Sequence, residues 1–333
     1  MEDHEMAFNI PVVLLIFRRD KVTQIIDRLR EIQVSKVYLM ADYGRNKNEI
    51  EQAEACRKAA EQAIDWNCEV IKNYATENRG VYGNIGKGAQ WVFQREEMAI
   101  FLEDDNLPEV TFFRYCEELL YKYRDNEQIL WICGTNYLGK YNSRNGDSYM
   151  FTQHLLPCGW ASWSSKFMKY YDLDLKLCDD RRNFRGMKAR FVNAQLYYQY
   201  MYRWLAERRR IKENGRSRSW DYQMDFALKY HNLYGISPAN NQIRNIGVDD
   251  ISEHGGTTTM NEMTRRFCTM PSYPITFPMK HPDKVEVDKE YENKIGNILL
   301  FPRKQRYKYF ISSFLRDKFN LPDKPLKEIL LGK

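Results

Sequence analysis

Met98-Ala99-Ile100-Phe101-Leu102-Glu103-Asp104-Asp105-Asn106 runs five apolar residues into three consecutive carboxylates, and Pro108 closes the segment before a new helical pattern starts. A short apolar run between helices reads as a strand buried on both faces of a parallel sheet. Open α/β sheets bind ligands outside the carboxyl ends of their strands, which is where this triplet falls. Adjacent carboxylates repel one another, so a hard divalent cation such as Mg²⁺ or Mn²⁺, which also grips phosphates, suits the cluster. Acidic residues after a strand also serve as solvated loop residues, and Asp105 or Asn106 suits the N-cap of the following helix. The triplet alone leaves both readings open.

Upstream, the chain alternates strand and helix. Ile10 to Phe17 is a buried-strand pattern, and a helix follows from about Lys21 to Gln33 with Val22, Ile25, Ile26 and Leu29 on one face. Lys36 to Asp42 is a second strand ending in a carboxylate. Lys47 to Trp66 is rich in good helix formers, Cys68 to Tyr74 is a third strand, and Ala89 to Arg95 leads into the acidic strand. Beyond it come a helix over about Thr111 to Tyr123 and a strand over Gln128 to Gly134. Such alternation means a parallel sheet with right-handed crossovers. Between the third strand and its helix, Gly80, Gly83, Gly86 and Gly88 fall within nine residues. That loop is either flexible or a cradle for phosphate, and it matches neither GxxxxGK[ST] nor GxGxxG after the first strand.

Past residue 140 the alternation lapses. Tyr141 to Tyr149 is polar and reads as a mobile loop; a helix carrying Phe167, Tyr170 and Tyr171 follows Cys158-Gly159-Trp160. Residues 181–218 combine a long aromatic-faced helix (Phe191, Leu196, Tyr197, Tyr200, Trp204), read mainly as core, with many arginines that form a solvated face or meet an anionic acceptor. Ser219-Trp220-Asp221 opens another helix with Asp221 near its start, where an Asp is ordinarily a cap or dipole partner. His254 precedes two glycines in a late loop, where a lone His is ordinarily just exposed.

Seven cysteines without a CxxC pair argue against a disulfide framework or structural zinc and for a reducing compartment. The acidic N-terminus lacks the apolar core of a signal peptide, and no run is long enough to span a bilayer. Of the net charge of +6, the whole excess lies between Phe301 and Lys333, where nine Lys/Arg face three Asp/Glu. A balanced body with a basic tail excludes a globally basic nucleic-acid binder.

Taken in order, these pieces resemble a GT-A-fold glycosyltransferase. More narrowly, they resemble the animal N-acetylglucosaminyltransferase family that initiates hybrid N-glycans, and the family 2-like transferases of bacterial capsule and O-antigen synthesis. The resemblance covers about residues 10–260, through Phe17-Arg18-Arg19, Met40-Ala41-Asp42, Leu102 to Asp105, Cys158-Gly159-Trp160, Trp220-Asp221 and Gly247 to His254. It implies a Rossmann-like α/β fold with a mixed, mainly parallel sheet flanked by helices and a helical C-terminal extension. Residues 8–140 would form the nucleotide-sugar half, 141–270 the acceptor and catalytic half of the same domain, and 271–333 the basic extension. By resemblance, Arg19 and Asp42 grip the base and ribose, Glu103 and Asp104 contact ribose or donor sugar, and Asp105 binds the metal (Mn²⁺ or Mg²⁺). Asn78 and Arg79 join the donor-binding set, and Gly159 and Trp160 lie beneath the donor sugar and acceptor. Asp221 is the catalytic base, and His254 belongs to a loop closing over the diphosphate, in some relatives a second metal ligand. The insert at 181–218 has no counterpart, and Arg18 stands where the animal enzyme carries an acidic residue.

The implied reaction is metal-dependent, inverting transfer from a nucleotide-diphosphate sugar, expected to be a UDP-sugar, to a hydroxyl of a saccharide or lipid-linked saccharide. Surface-polysaccharide biosynthesis in bacteria is the expected setting. A carboxylate at a helix N-terminus is held acidic by the dipole, which weakens Asp221 as a base unless water is excluded. In the tail, Phe310, Ile311, Phe314, Leu315 and Phe319 form an apolar stripe beside Lys308, Arg316 and Lys318. The stripe suits either an anionic membrane surface through residues 303–319, on the inner face of the bacterial cytoplasmic membrane, or packing on the domain. The competing readings are a sugar nucleotidyltransferase, which wants a glycine-bearing loop after strand one, and a non-catalytic carbohydrate-binding protein.

Overall fold

The computed structural model describes residues 7–247, 268, 270–319, 321–322 and 329. Its centre is an eight-stranded mixed sheet. In chain order the elements are β1 (Val12–Ile16), α1 (Val22–Glu31), β2 (Lys36–Ala41), α2 (Lys47–Ala63), β3 (Glu69–Tyr74), α3 (Gly88–Phe93) and β4 (Met98–Glu103). There follow β5 (Asn106–Pro108), α4 (Thr111–Lys122), β6 (Ile129–Cys133), β7 (Tyr149–Thr152), β8 (Trp160–Trp163), α5 (Ser164–Tyr170) and α6 (Ala194–Asn214). The last are α7 (Asp221–Tyr230), β9 (Tyr234–Pro238), β10 (Ile243–Asn245), α8 (Lys289–Leu299) and α9 (Arg303–Phe319). The order across the sheet is β3-β2-β1-β4-β8-β6-β9-β7. β1 pairs in parallel with both β2 and β4, whereas β8 inserts antiparallel between β4 and β6. Strands from both halves of the chain therefore share one sheet, the mixed, mainly parallel α/β layout expected from the sequence.

Alternation along the strands builds two core layers. Val12, Leu14 and Ile16 of β1 join Leu39 and Ile100 in one cluster beneath α1, α2 and α4, while Val13 and Leu15 join Met40 and Phe101 in the other, beneath α3, α5, α6 and α7. The predicted stripe of α1 is the one that is buried, Val22, Ile25, Ile26 and Leu29 all at zero exposure.

Several expectations are corrected. The glycine-rich loop is neither flexible loop nor open cradle: Tyr82–Lys87 forms a wide helical turn running into α3, with Gly83, Asn84 and Gly86 buried. Gly86 packs so closely that an added Cβ would lie 2.8 Å from Leu173 Cδ1 and 2.9 Å from the Tyr171 hydroxyl. Asp105 and Asn106 cap no helix, since β5 intervenes and α4 starts without a side-chain cap. The segment at 141–149 is tied down, Ser148 donating from its backbone to Lys280 O at 2.8 Å and Tyr141 Oη bonding Asp288 at 3.1 Å. The aromatic helix begins at Ala194, so Phe191 precedes it, although Leu196, Tyr197 and Trp204 are core as expected. Tyr291 and Ile295 of α8 are likewise wholly buried, which makes residues up to 299 part of the domain and leaves α9 as the peripheral element.

Candidate active site

The site is built where β4 ends. In the parallel register Leu15 pairs with Glu103, which sets the β1–α1 loop directly beside the triplet. Asp104 is 6 % exposed; its Oδ2 accepts from Phe17 N at 3.0 Å and its Oδ1 from Arg19 Nη1 at 3.1 Å. The same guanidinium nitrogen bridges to Asp105 Oδ2 at 2.9 Å. β5 and β10 pair antiparallel, Asn106 opposite Asn245, and deliver Ile246 and Gly247 to the other side of Asp105. Ile246 N donates to Asp105 O at 2.8 Å, and Lys21 Nζ donates to Ile246 O at 2.8 Å. A Cβ on Gly247 would fall 2.4 Å from Asp105 Oδ2, so only glycine fits against that carboxylate.

Asp221 arrives from the opposite side as the first residue of α7. It is carried on an aromatic stack: Trp160 lies 3.9 Å from Phe101 and 4.3 Å from Trp131, centroid to centroid, and 5.6 Å from Trp220. Tyr171 Oη donates to Trp220 O at 2.8 Å and fixes the backbone one residue before Asp221. Ser219 Oγ donates to Asp221 Oδ1. Trp160 itself is only 1 % exposed. It supports Trp220 from within the core. Gly159, at φ +58°, lets β8 approach β10 where a side chain would strike Ile243 at 2.4 Å.

Charge follows from this geometry. Burial, then the charges of Asp105, Asp104 and Asp221, push Glu103 well above the usual carboxylate range. Burial, with the charge of Asp105 opposing Arg19, pushes Asp104 up to about 6. Burial also raises Asp221, against the hydrogen bond from Ser219. The exception allowed from sequence is met: Asp221 is desolvated, and its burial outweighs the hydrogen bonds that lower it. Glu103, Asp105 and Asp221 all impose their charge on the buried Cys158.

Asp42, Asn78 and Arg79 form a second group. Asp42 Oδ1 accepts from Tyr43 N and Arg79 N, both at 2.8 Å, and Oδ2 accepts from Gly80 N at 2.9 Å and Asn78 Nδ2 at 3.3 Å. This carboxylate braces its own loop. α2 joins the two groups: Cys56 Sγ meets Arg19 O at 3.1 Å, and Arg57 Nη2 donates to Asp42 O at 2.9 Å. Arg18 pairs with the buried Glu49 at 2.7 Å; Arg45, hydrogen-bonded to the same carboxylate, brings Glu49 down to about 2. His254 lies outside the described residues.

The donor set at the triplet is all hard oxygen, with four carboxylates in electrostatic reach of one another against the one bridging guanidinium of Arg19. That excess fits a divalent cation. Among the described residues no group of three or more His, Cys, Asp or Glu surrounds a common point, so those residues would supply only part of a coordination shell. Sequence reasoning missed Ser219 as the partner of Asp221 and Lys21 as the latch on Ile246. A hydroxyl two residues before a helix-start Asp was the available signal for the first; the second depends on a contact across 225 residues.

No family model matches this chain, and neither does any curated protein. Solved structures similar to it include UDP-glucose pyrophosphorylase complexed with UDP-glucose, at TM-score 0.35 and 9 % identity, covering 71 % of this chain and 92 % of that one. Another is mannosyltransferase PcManGT from Pyrobaculum calidifontis in complex with GDP-Man and Mn²⁺, at TM-score 0.36 and 10 % identity, covering 67 % and 69 %. A third is 4-diphosphocytidyl-2C-methyl-D-erythritolsynthase from Anaerococcus prevotii, at TM-score 0.32 and 9 % identity, covering 53 % and 78 %.

Proposed function

We propose that this protein is a metal-dependent, inverting glycosyltransferase that moves a sugar from a nucleotide-diphosphate donor to a hydroxyl of a saccharide acceptor. The observation that carries the reading is the triplet Glu103, Asp104 and Asp105 at the carboxyl end of β4, with Asp221, at the start of α7, near enough to act electrostatically on Glu103. Asp105 would hold a Mg²⁺ or Mn²⁺ ion, with His254 as its further ligand, and such an ion supplies Lewis acidity at the leaving diphosphate. Arg19 and Lys21 hold positive charge at the same place. Glu103 faces the donor sugar, and Asp42 keeps Asn78, Arg79 and Gly80 in position beside the nucleotide. Asp221 takes the proton of the acceptor hydroxyl as its oxygen bonds to the anomeric carbon. The anomeric C–O bond breaks as that bond forms, its electron pair leaves on the diphosphate, and the configuration inverts. Burial suits Asp221 to the task, because a raised pKa brings a base nearer the working pH.

A nucleotidyltransferase reading is less well served, because that chemistry wants a glycine-bearing loop after strand one and Phe17-Arg18-Arg19-Asp20-Lys21 has no glycine. Titration of UDP-, GDP-, CMP- and dTDP-sugars with and without Mn²⁺ tests the proposal. One donor should bind only with metal, and Asp105→Ala should abolish that binding. No donor binding with any metal would overturn it.

The outer face of α9 extends the reading to location. Tyr307 (65 % exposed), Phe310, Ile311, Phe314 and Phe319 stand in solvent beside Lys304 and Lys318, which fits peripheral attachment to an anionic membrane surface. Among the described residues no helix is long and apolar enough to cross a membrane. Sedimentation with anionic liposomes should be lost on deleting residues 303–333; unchanged sedimentation would remove the attachment.

A further inference from the structure

The residues at 181–218, which have no counterpart in the resemblance, supply α6, and α6 grips the turn that carries Asp221. Arg203 and Glu207 stand one helical turn apart on the same face of α6. Glu207 is buried and paired with Arg210 of its own helix, and its Oε2 accepts from Ser217 Oγ at 2.6 Å and from Arg218 N at 3.0 Å. Ser217 Oγ in turn accepts from Ser219 N at 3.0 Å. Ser219 Oγ accepts from Tyr222 N at 3.2 Å and donates to Asp221 Oδ1. A path of hydrogen bonds, joined through the frame of Ser219, therefore runs from a carboxylate of α6 to the proposed base.

The chemistry of its ends fixes the direction of every proton on this path. A carboxylate paired with an arginine only accepts, so Glu207 takes the Ser217 proton and leaves the lone pairs of that hydroxyl to Ser219 N. With its backbone held there and a lone pair engaged by Tyr222 N, Ser219 has its single proton for Asp221. Glu207, Ser217 and Ser219 are all buried, where such bonds meet little competition from water. Arg203 makes a second grip. Its Nη1 donates to Tyr222 Oη at 2.7 Å, and its guanidinium lies 4.6 Å from the ring centroids of both Phe301 and Tyr309, which hold it in place. The turn needs these grips, because α7 starts at Trp220 without a side-chain cap from that residue, and uncapped helix ends fray.

We propose that Glu207, acting through Ser217 and Ser219, is a positioning residue for Asp221: it engages Oδ1 and so turns Oδ2 to the acceptor hydroxyl. The inference rests on the transferase reading for the role of Asp221, whereas the path itself needs no substrate. Glu103 of β4 and Asp225, one turn along α7, also act on Asp221 through charge. Burial keeps the phenols of Tyr137, Tyr171, Tyr200 and Tyr222 neutral beside it. Glu207 differs from these groups in acting in two senses. Beyond burial, the Ser219 hydrogen bond that it orients lowers Asp221, while its own charge raises it.

The test reads Asp221 directly, by carboxyl carbon-13 NMR titration of the full-length protein, its signal assigned as the one missing from Asp221→Asn. Ser217→Ala cuts the path and loosens the Ser219 hydroxyl, so the midpoint of Asp221 should rise. Glu207→Gln keeps an oxygen for Ser217 but removes the charge, so the midpoint should fall. Because glutamine matches the size of the side chain, this variant keeps the result readable if Ser217→Ala fails to fold. A midpoint that stays in place in either folded variant, or moves the other way, overturns the proposal; a merely structural Glu207 would alter thermal stability alone. With a working donor, Ser217→Ala should also lower kcat about tenfold or more at unchanged donor Kd. An unchanged kcat overturns the positioning role. Titration and turnover can fail separately. Midpoints that shift as expected in a protein that binds no donor uphold the path and remove the transferase reading. Transfer that Asp221→Asn abolishes, with midpoints unmoved in the other variants, does the opposite.

Discussion

The two regions that flank Asp221 are opposites in charge. On one side Glu103, Asp104 and Asp105 crowd together with Arg19 bridging the two aspartates. On the other, six arginines and lysines share a cavity with Glu207. One gathers carboxylates about a bridging guanidinium, the other gathers guanidinium and ammonium groups along two helices. An excess of hard oxygen donors suits a divalent cation, the reading proposed above for the acidic side. Asp221 sits between them, held by Ser219 from the basic side and sensed by Glu103 on the acidic side.

The contrast breaks most severely at its centre. Asp221→Asn should lower the transfer rate by about 10²–10⁴-fold with donor affinity unchanged, as removal of a general base predicts. In the native enzyme the acid limb of the rate profile should lie above the ordinary aspartate range, because burial raises this group and activity fades as pH falls through it. An unchanged rate would take Asp221 out of the chemistry.

Removing charge should act unequally on stability in the two regions. Arg19→Ala strips the buried Asp104 of its cation and should cost about 3–5 kcal/mol by denaturant titration. Lys308→Gln removes one of several like charges at an exposed position and should change stability by no more than about 0.5 kcal/mol. Equal losses would show that Arg19 is no more tied into the fold than an exposed lysine.

A buried network away from both regions supplies a control. His154, 2 % exposed, places Nε2 at 3.4 Å from Glu292 Oε1, and burial pushes it down to about 4. The unfolded chain takes up this proton near 6.5, the folded chain only near 4. Stability from this group is therefore whole above about pH 6.5 and is lost as pH falls toward 4, by up to about 3 kcal/mol. His154→Gln should flatten that part of the thermal-denaturation profile while leaving donor binding intact.

The smallest effect is the most diagnostic. Glu103 keeps its proton in the folded state over a pH range where the unfolded chain has lost it, so its contribution falls as pH rises. Glu103→Gln should raise stability near neutral pH by about 0.5–2 kcal/mol while impairing transfer, the signature of a strained functional group. A loss of stability would mean that Glu103 is structural.

Much of this was legible in the sequence for a physical reason: local apolar periodicity determines β1, α1, β2 and β4, and strand–helix alternation determines the parallel sheet and places Glu103 to Asp105 at its ligand-binding end. The Asp at the start of α7 is equally local. What the sequence could not disclose depends on partners far apart in the chain. The glycines at 80–88 fit a flexible loop as well as they fit a buried helical turn, and only the packing of Gly86 on Leu173 and Tyr171 selects the turn. Trp160 fits a ligand platform as well as it fits the middle of a stack with Phe101, Trp131 and Trp220. The pKa direction of Asp221 follows from desolvation, which no helix-terminus rule contains. The arginines of 181–218 meet the basic residues of α9 only in the folded chain, because charge has meaning in a protein through the distance to other charges, and tertiary structure alone fixes that distance.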